Sequence, residues 1–145
     1  MPDEEILVLL VRARGGYGNT IGAHLAAAGF DDLPRNGPFV LGGMATHAGS
    51  AVGMIRGLGV TRQAASQLID TLVLRGYLSR EINADDRRRI TIVLTERGRA
   101  AAAAIRAGIA EVDAELAQLL SPAELAGLRA GLTALGDIRE RTEHD

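Results

Sequence analysis

The sequence contains no cysteine and no tryptophan. Without thiols, disulfides, thiolate zinc sites and thiol-based redox sensing are excluded. Lysine is absent too, so all 16 basic residues are arginine. A guanidinium is a planar fork that meets phosphate or guanine with two hydrogen bonds, whereas an ammonium acts as a point charge. Aromatic residues make up only 3% of the chain, so the core has to come mainly from Leu, Ile, Val and Ala. No apolar run reaches the roughly 18 residues of a membrane span. The run "ILVLLV" at 6–11 is too short for a signal core, and Asp3, Glu4 and Glu5 flank it with the wrong charge. These absences lead us to expect a cytoplasmic protein without a membrane partner.

What is present is a chain of 145 residues, 47% apolar and 23% charged. That length suits one domain with a real core. The formal net charge of −2 hides an uneven distribution. Residues 50–100 hold nine arginines against five acids, and the rest holds seven arginines against thirteen acids. A basic middle in an acidic frame points to a local site for a polyanion.

Apolar residues recur at helical spacing over 4–28, where Gly15, Gly16, Gly18 and Gly22 lower the propensity and predict a distortion near 15–18. "DDLPRNGP" at 31–38 reads as a loop. Short helices follow over 39–47 and 50–57, the second with Ser50 as N-cap, although Gly42, Gly43, Gly53 and Gly57 work against both. Gly59 turns the chain, Thr61 caps a helix with Ala65, Leu68, Ile69 and Leu72 on one face, and Gly76 ends it. "YLSREI" at 77–82 and "ITIVLT" at 90–95 are β-type runs joined by "NADDRRR", hence a hairpin with a long tip. A helix from Glu96 to about Leu119 carries Ile105, Ile109, Val112, Leu116 and Leu119, an a/d seam. "SPAE" at 121–124 opens a last helix with a capping box and a leucine stripe at 125, 128, 132 and 135.

Helix, turn, helix, hairpin is one compact way to read duplex DNA, with the second helix in the major groove. Opposite the apolar stripe, that helix shows Arg62, Gln63, Ser66 and Gln67. Arg forks onto guanine, Gln onto adenine, and a helix N-terminus favours phosphate. At the hairpin tip Arg87, Arg88 and Arg89 repel one another unless a phosphate backbone or a narrow minor groove lies beside them. Asp85 and Asp86 are candidates to cap the tip or pair with one arginine, and Asp70 is a candidate to hold the wing from the preceding helix.

"GVTRQAASQLIDTLVLRGYLSRE" followed by "DDRRRITIVLTERGR" resembles the MarR family of winged-helix transcriptional regulators. The family's wing pattern is matched by Asp86, Arg87, Arg88, Leu94, Thr95, Gly98 and Arg99. The specific match covers about residues 50–100, and the flanking helices match in layout only. The resemblance implies a mainly α fold with a small two- to three-stranded β-wing. It implies one MarR-type domain over 1–145, with a winged-helix part at 38–95 and dimerisation helices at 4–28 and 96–141. It also implies a homodimer on a pseudo-palindromic duplex, probing it with Ser50, Thr61, Arg62, Gln63, Ser66, Gln67 and Arg87–Arg89. The recognition helices would lie about 34 Å apart, one DNA turn. The family often takes a small aromatic or anionic effector, for which Arg14, Tyr17, His24 and His47 are the candidates here.

Other readings fare less well. "RGGYGNTIG" at 14–22 lacks the Gly-Lys-Ser/Thr ending of a phosphate loop, and His47 with Ser50 shows no nucleophile elbow. We therefore expect no enzyme, no cofactor and no metal. A winged helix used to bind protein would need an apolar face on 61–76, where this chain is polar. For the seam at 105–119, packing inside one copy is the alternative to a dimer interface.

Overall fold

The structure is a computed structural model that describes residues 4–46 and 50–144. Among them, in chain order, are helices α1 (Ile6–Ala27), α2 (Gly37–Thr46), α3 (Ala51–Arg56) and α4 (Arg62–Leu74), strands β1 (Leu78–Ile82) and β2 (Ile90–Leu94), and helices α5 (Glu96–Leu119) and α6 (Pro122–Glu143). The chain divides after Ile109 into two compact units, α5 contributing to both. No described helix is long and apolar enough to cross a membrane.

The first unit is organised by helix ends. Ser50 Oγ accepts from Gly53 N at 3.0 Å and Thr61 Oγ1 from Ala64 N at 3.1 Å, so α3 and α4 both start on hydroxyl caps. Helices α1 and α4 end the same way. At α1, Gly29 (φ 86°) donates to the Ala26 carbonyl at 3.1 Å and Phe30 to the Leu25 carbonyl at 2.9 Å. At α4, Gly76 (φ 82°) donates to the Val73 carbonyl at 3.0 Å and Tyr77 to the Leu72 carbonyl at 2.9 Å. Each is a Schellman motif, and each turns the next residue, an aromatic ring, back toward the core. The rings of Phe30 and Tyr77 meet at 6.0 Å between centroids.

The core joins Leu25, Val40, Leu41, Ile55, Leu68, Leu72, Leu78 and Ile105 with smaller residues and one aromatic ring, Tyr77, whose exposure is 0%. Strands β1 and β2 pair antiparallel, from Leu78 opposite Leu94 at the root to Ile82 opposite Ile90 near the tip. Leu78 is buried and Ile82 exposed, so the hairpin is anchored at one end and projects at the other.

Three expectations change. Helix α1 runs unbroken through Gly15–Gly18, where an added Cβ would meet nothing within 4 Å. Helix α2 begins at Gly37, inside the expected loop, and tolerates its glycines because neighbours occupy the space. A Cβ at Gly42 would lie 2.9 Å from Ile105 Cγ2, and one at Gly43 would lie 2.8 Å from Met54 Sδ. Ile105 is therefore a core residue, 1% exposed, and Ile109 packs beside it. The first half of the a/d seam is used within the chain. Heptad spacing reports that a helix has an apolar edge but not which neighbour covers it.

In the second unit, Glu124 N donates to Ser121 Oγ at 3.2 Å and Ser121 N to Glu124 Oε1 at 3.0 Å, closing the capping box. Those bonds to Ser121 hold the Glu124 carboxyl below its usual range. No described residue of α6 is buried, and Leu128, Leu132, Leu135 and Ile138 are each at least 40% exposed.

Candidate nucleic-acid interface

Helix α4 buries Leu68, Ile69 and Leu72 and turns Arg62, Gln63, Ser66 and Gln67 outward, all exposed. The helix has no acidic residue in its first turn, so the partial positive charge of its N-terminus is uncompensated there. Ser50 and Thr61, expected at the interface, are exposed but spend their hydroxyls capping α3 and α4. An open cleft of about 460 Å3 separates α3 from α4, with Val52, Ile55 and Val60 beside Arg56, Arg62 and Ser66. It gives the polar face an apolar border.

The wing tip is built by aspartate and asparagine turns. Asp85 N donates to Asn83 Oδ1 at 2.9 Å, and Arg88 N donates to Asp86 Oδ1 at 3.1 Å. Arg89 N donates to the Asp86 carbonyl, and Asn83 N to the Arg89 carbonyl, each at 3.0 Å. Asp86 thus folds the tip through the backbone of the arginine segment. Arg87, Arg88 and Arg89 are exposed, and among the described residues none of them has a carboxylate within ion-pair distance. Asp70 on α4 pairs with Arg80 at the middle of β1, tying the hairpin to α4.

The candidate effector residues lie elsewhere. Arg14, Tyr17 and His24 follow steps of three and seven on α1, hence one face, with Arg14 and Tyr17 exposed and His24 half-buried. They do not line the α3–α4 cleft. His47 lies outside the described residues.

One cluster escaped the sequence reading. Asp32, in the loop after α1, receives the Tyr77 hydroxyl and the Arg97 guanidinium, the latter at 3.1 Å. Arg97 also donates to Tyr77 Oη at 3.0 Å and, through Nε, to the Arg75 carbonyl at 3.2 Å. Arg75 donates to the Asp32 carbonyl. The Arg97 guanidinium lies 4.5 Å from the Tyr77 ring centre and 5.3 Å from that of Phe30. Burial, then the bond to Asp32 and its negative charge, push the Tyr77 phenol up to about 12. The Tyr77 hydrogen bond, assisted by the Arg97 charge, holds the Asp32 carboxyl below its usual range. The separations are 45 residues for Asp32–Tyr77 and 65 for Asp32–Arg97, beyond any periodic pattern.

A capped helix with a polar outer face, a buried inner one and a basic hairpin beside it define a winged helix-turn-helix protein. Residues 40–89 match the model of the MarR family. That segment runs from α2 through the wing tip and takes in the helix and hairpin on which the resemblance was read. Solved structures agree in fold. CouR from Rhodococcus jostii RHA1, bound to p-coumaroyl-CoA, is 22% identical over 92% of this chain and 92% of that one, with a TM-score of 0.71. S. aureus MepR in a complex with DNA is 21% identical over 92% of this chain and 97% of that one, with a TM-score of 0.71. A Mycobacterium tuberculosis MarR family protein in complex with salicylic acid is 24% identical over 92% and 98%, with a TM-score of 0.58. A comparison with curated proteins gives no match.

Proposed function

We propose that this protein is a sequence-specific, double-stranded-DNA-binding transcriptional regulator that acts as a homodimer. The observation that carries the reading is the exposed arginine trio on the wing tip, which has no carboxylate partner among the described residues, together with the exposed Arg62, Gln63, Ser66 and Gln67 of α4. The wing arginines supply sequence-independent attraction to phosphate, and the helix supplies base-edge donors and acceptors. Val52 and Val60, beside Arg62, offer apolar contact to a thymine methyl. MepR, with the same fold, is found in a DNA complex, which supports the reading.

Dimerisation follows from exposed apolar helix faces. Ile6, Leu7, Val8, Leu9 and Val11 on α1, and Leu128, Leu132 and Leu135 on α6, are each at least 40% exposed. An exposed apolar helix start and an exposed leucine stripe on α6 both suit an interface, and a second copy presents the same surfaces. We extend the proposal to a small aromatic or anionic effector that prefers the non-binding arrangement of the dimer and so shifts the population away from DNA. Arg14, Tyr17, His24 and His47 are its candidate contacts, and the p-coumaroyl-CoA of CouR supports an aromatic class. The cytoplasm is the expected location, and repression the expected sign of regulation.

The test is selection from a library of double-stranded promoter fragments, repeated at several salt concentrations. The proposal expects one enriched pseudo-palindrome with half-sites about one turn apart. A steep salt dependence with no enriched sequence leaves electrostatics alone and overturns the regulator.

A further inference from the structure

The two legs of the wing begin and end at Tyr77, just before β1, and at the Thr95–Arg97 segment, just after β2. Thr95 N donates to the Tyr77 carbonyl at 3.1 Å, and Thr95 Oγ1 to the Gly76 carbonyl at 2.5 Å, so the legs are stitched to each other. Both legs also reach for the same carboxylate. The Tyr77 hydroxyl comes from the β1 leg and the Arg97 guanidinium from the β2 leg, and both end on Asp32 Oδ1. Arg75, at the end of α4, holds the Asp32 carbonyl. One residue in the loop after α1 therefore gathers the end of the recognition helix and both roots of the wing.

We propose that Asp32 is a positioning residue for the wing, acting through Tyr77 and Arg97 to set where Arg87, Arg88 and Arg89 stand relative to α4. This inference rests on the DNA-binding reading for its functional half. Asp32 touches no residue of the tip. Its leverage is geometric: a strand of five residues spans about 16 Å at ~3.3 Å per residue, so a tilt of roughly 10° at the root moves the tip by about 3 Å. That is a hydrogen-bond length, enough to carry a guanidinium off a phosphate oxygen.

The energetics fit orientation better than bulk stability. The Asp32 and Arg97 side chains are 40% and 42% exposed, and ion pairs that open to water add little to overall stability. The geometry is nonetheless specific. The Arg97 guanidinium lies 4.5 Å from the Tyr77 ring centre and 5.3 Å from that of Phe30, against two rings that themselves meet, and its donors reach Asp32, Tyr77 Oη and the Arg75 carbonyl. The depressed Asp32 carboxyl and the raised Tyr77 phenol agree with a charged carboxylate receiving both groups at neutral pH.

The experiment compares Asp32→Ala with the wild type in two ways. The first needs no DNA. Amide hydrogen exchange is followed along 78–94 and along the core helices. Positioning predicts that wing amides exchange about fivefold faster or more while α4 core amides and the denaturant midpoint stay unchanged, a local opening. Equal loss of protection throughout 1–109 makes Asp32 a general structural residue and overturns the proposal, as does unchanged protection.

The second is a double-mutant cycle on the enriched DNA. Asp32→Ala is expected to weaken binding about fivefold alone and about fivefold in an Arg62→Ala background, but less than about twofold where Arg87, Arg88 and Arg89 are alanine. Equal losses in all three backgrounds overturn the wing assignment. Asp32→Asn retains an acceptor for Tyr77 and loses the charge toward Arg97. It is expected to fall between wild type and Asp32→Ala, and it carries the test if Asp32→Ala does not fold. Should the protein bind no duplex at all, the regulator reading fails by itself, and the exchange measurement still decides whether Asp32 positions the wing.

Discussion

Gly98 of α5 lies directly against the backbone carbonyl of Tyr77. A Cβ at Gly98 would stand 3.0 Å from the Tyr77 carbonyl carbon and closer to its oxygen, with Leu94 Cδ2 at 3.2 Å. Gly98 N meanwhile donates to Thr95 Oγ1 at 2.9 Å. The glycine lets the first turn of α5 press on the root of the wing. Gly98→Ala should therefore destabilise the fold by about 1–3 kcal/mol or more, since backbone cannot yield as a side chain does. Gly43→Ala meets the flexible end of Met54 and should cost clearly less. Denaturant unfolding of both variants checks the order, and a harmless Gly98→Ala would contradict the packing.

The helix and the wing should fail in different ways. Arg62→Ala should relax sequence preference at one position of each half-site, costing about 1–3 kcal/mol on the best sequence. Arg88→Ala should weaken all sequences alike and lower the salt slope by about 1. Titrations on matched and mismatched duplexes at several salt concentrations separate the two. The opposite pattern would exchange the roles of helix and wing.

Tyr77 and Asp32 give the wing root two pH limits. The Tyr77 phenol is raised by burial first, then by Asp32, so its folded value of about 12 exceeds the unfolded value of 10.0. Its contribution is complete below pH 10 and is lost as pH rises toward 12. Asp32 is depressed by the bond from Tyr77 first, so its contribution is complete above the ordinary value of 3.8 and is lost as pH falls through the lower folded value. Ultraviolet titration of wild type minus Tyr77→Phe should show a tyrosinate appearing near pH 12. A phenol ionising near the ordinary value of 10.0 would mean that the ring is neither buried nor bonded to Asp32.

The exposed stripe of α6 offers a test of assembly. Replacing Leu128 and Leu132 together by Glu places two charges on a face now at least 43% exposed in one copy. Because α6 buries no described residue, the variant should keep its helical content and the fold of the first unit. Sedimentation should show the wild type as a dimer and the variant as a monomer, with DNA affinity lost alongside. A wild type that sediments as a monomer in dilute solution removes the dimer from the proposal.

Much of this protein was legible without coordinates because its signals are local. Ser50, Thr61 and Ser121 sit at helix starts where a hydroxyl satisfies a free backbone N–H, and all three caps are present. Gly59 and Gly76 stand at positive φ, which turns and helix ends demand. The β-branched run "ITIVLT" and the charged "NADDRRR" delimit a hairpin whose strands are Leu78–Ile82 and Ile90–Leu94. Composition excluded thiol chemistry outright, and the charge division marked the basic middle.

Tertiary structure decided what depends on residues far apart in the chain. It assigned Ile105 to the core beneath Gly42, because a helix with one apolar edge accepts any apolar neighbour and only packing selects one. Helix α1 continues through four glycines whose local propensity argues for a break. Tertiary structure also brought Asp32, Tyr77 and Arg97 onto one another across 45 and 65 residues, through two Schellman turns that aim Phe30 and Tyr77 inward. Capping, turning and charge clustering are properties of neighbours in sequence, and the sequence determined them. The partner of a carboxylate or of an apolar edge is a property of neighbours in space, and only the fold chooses those.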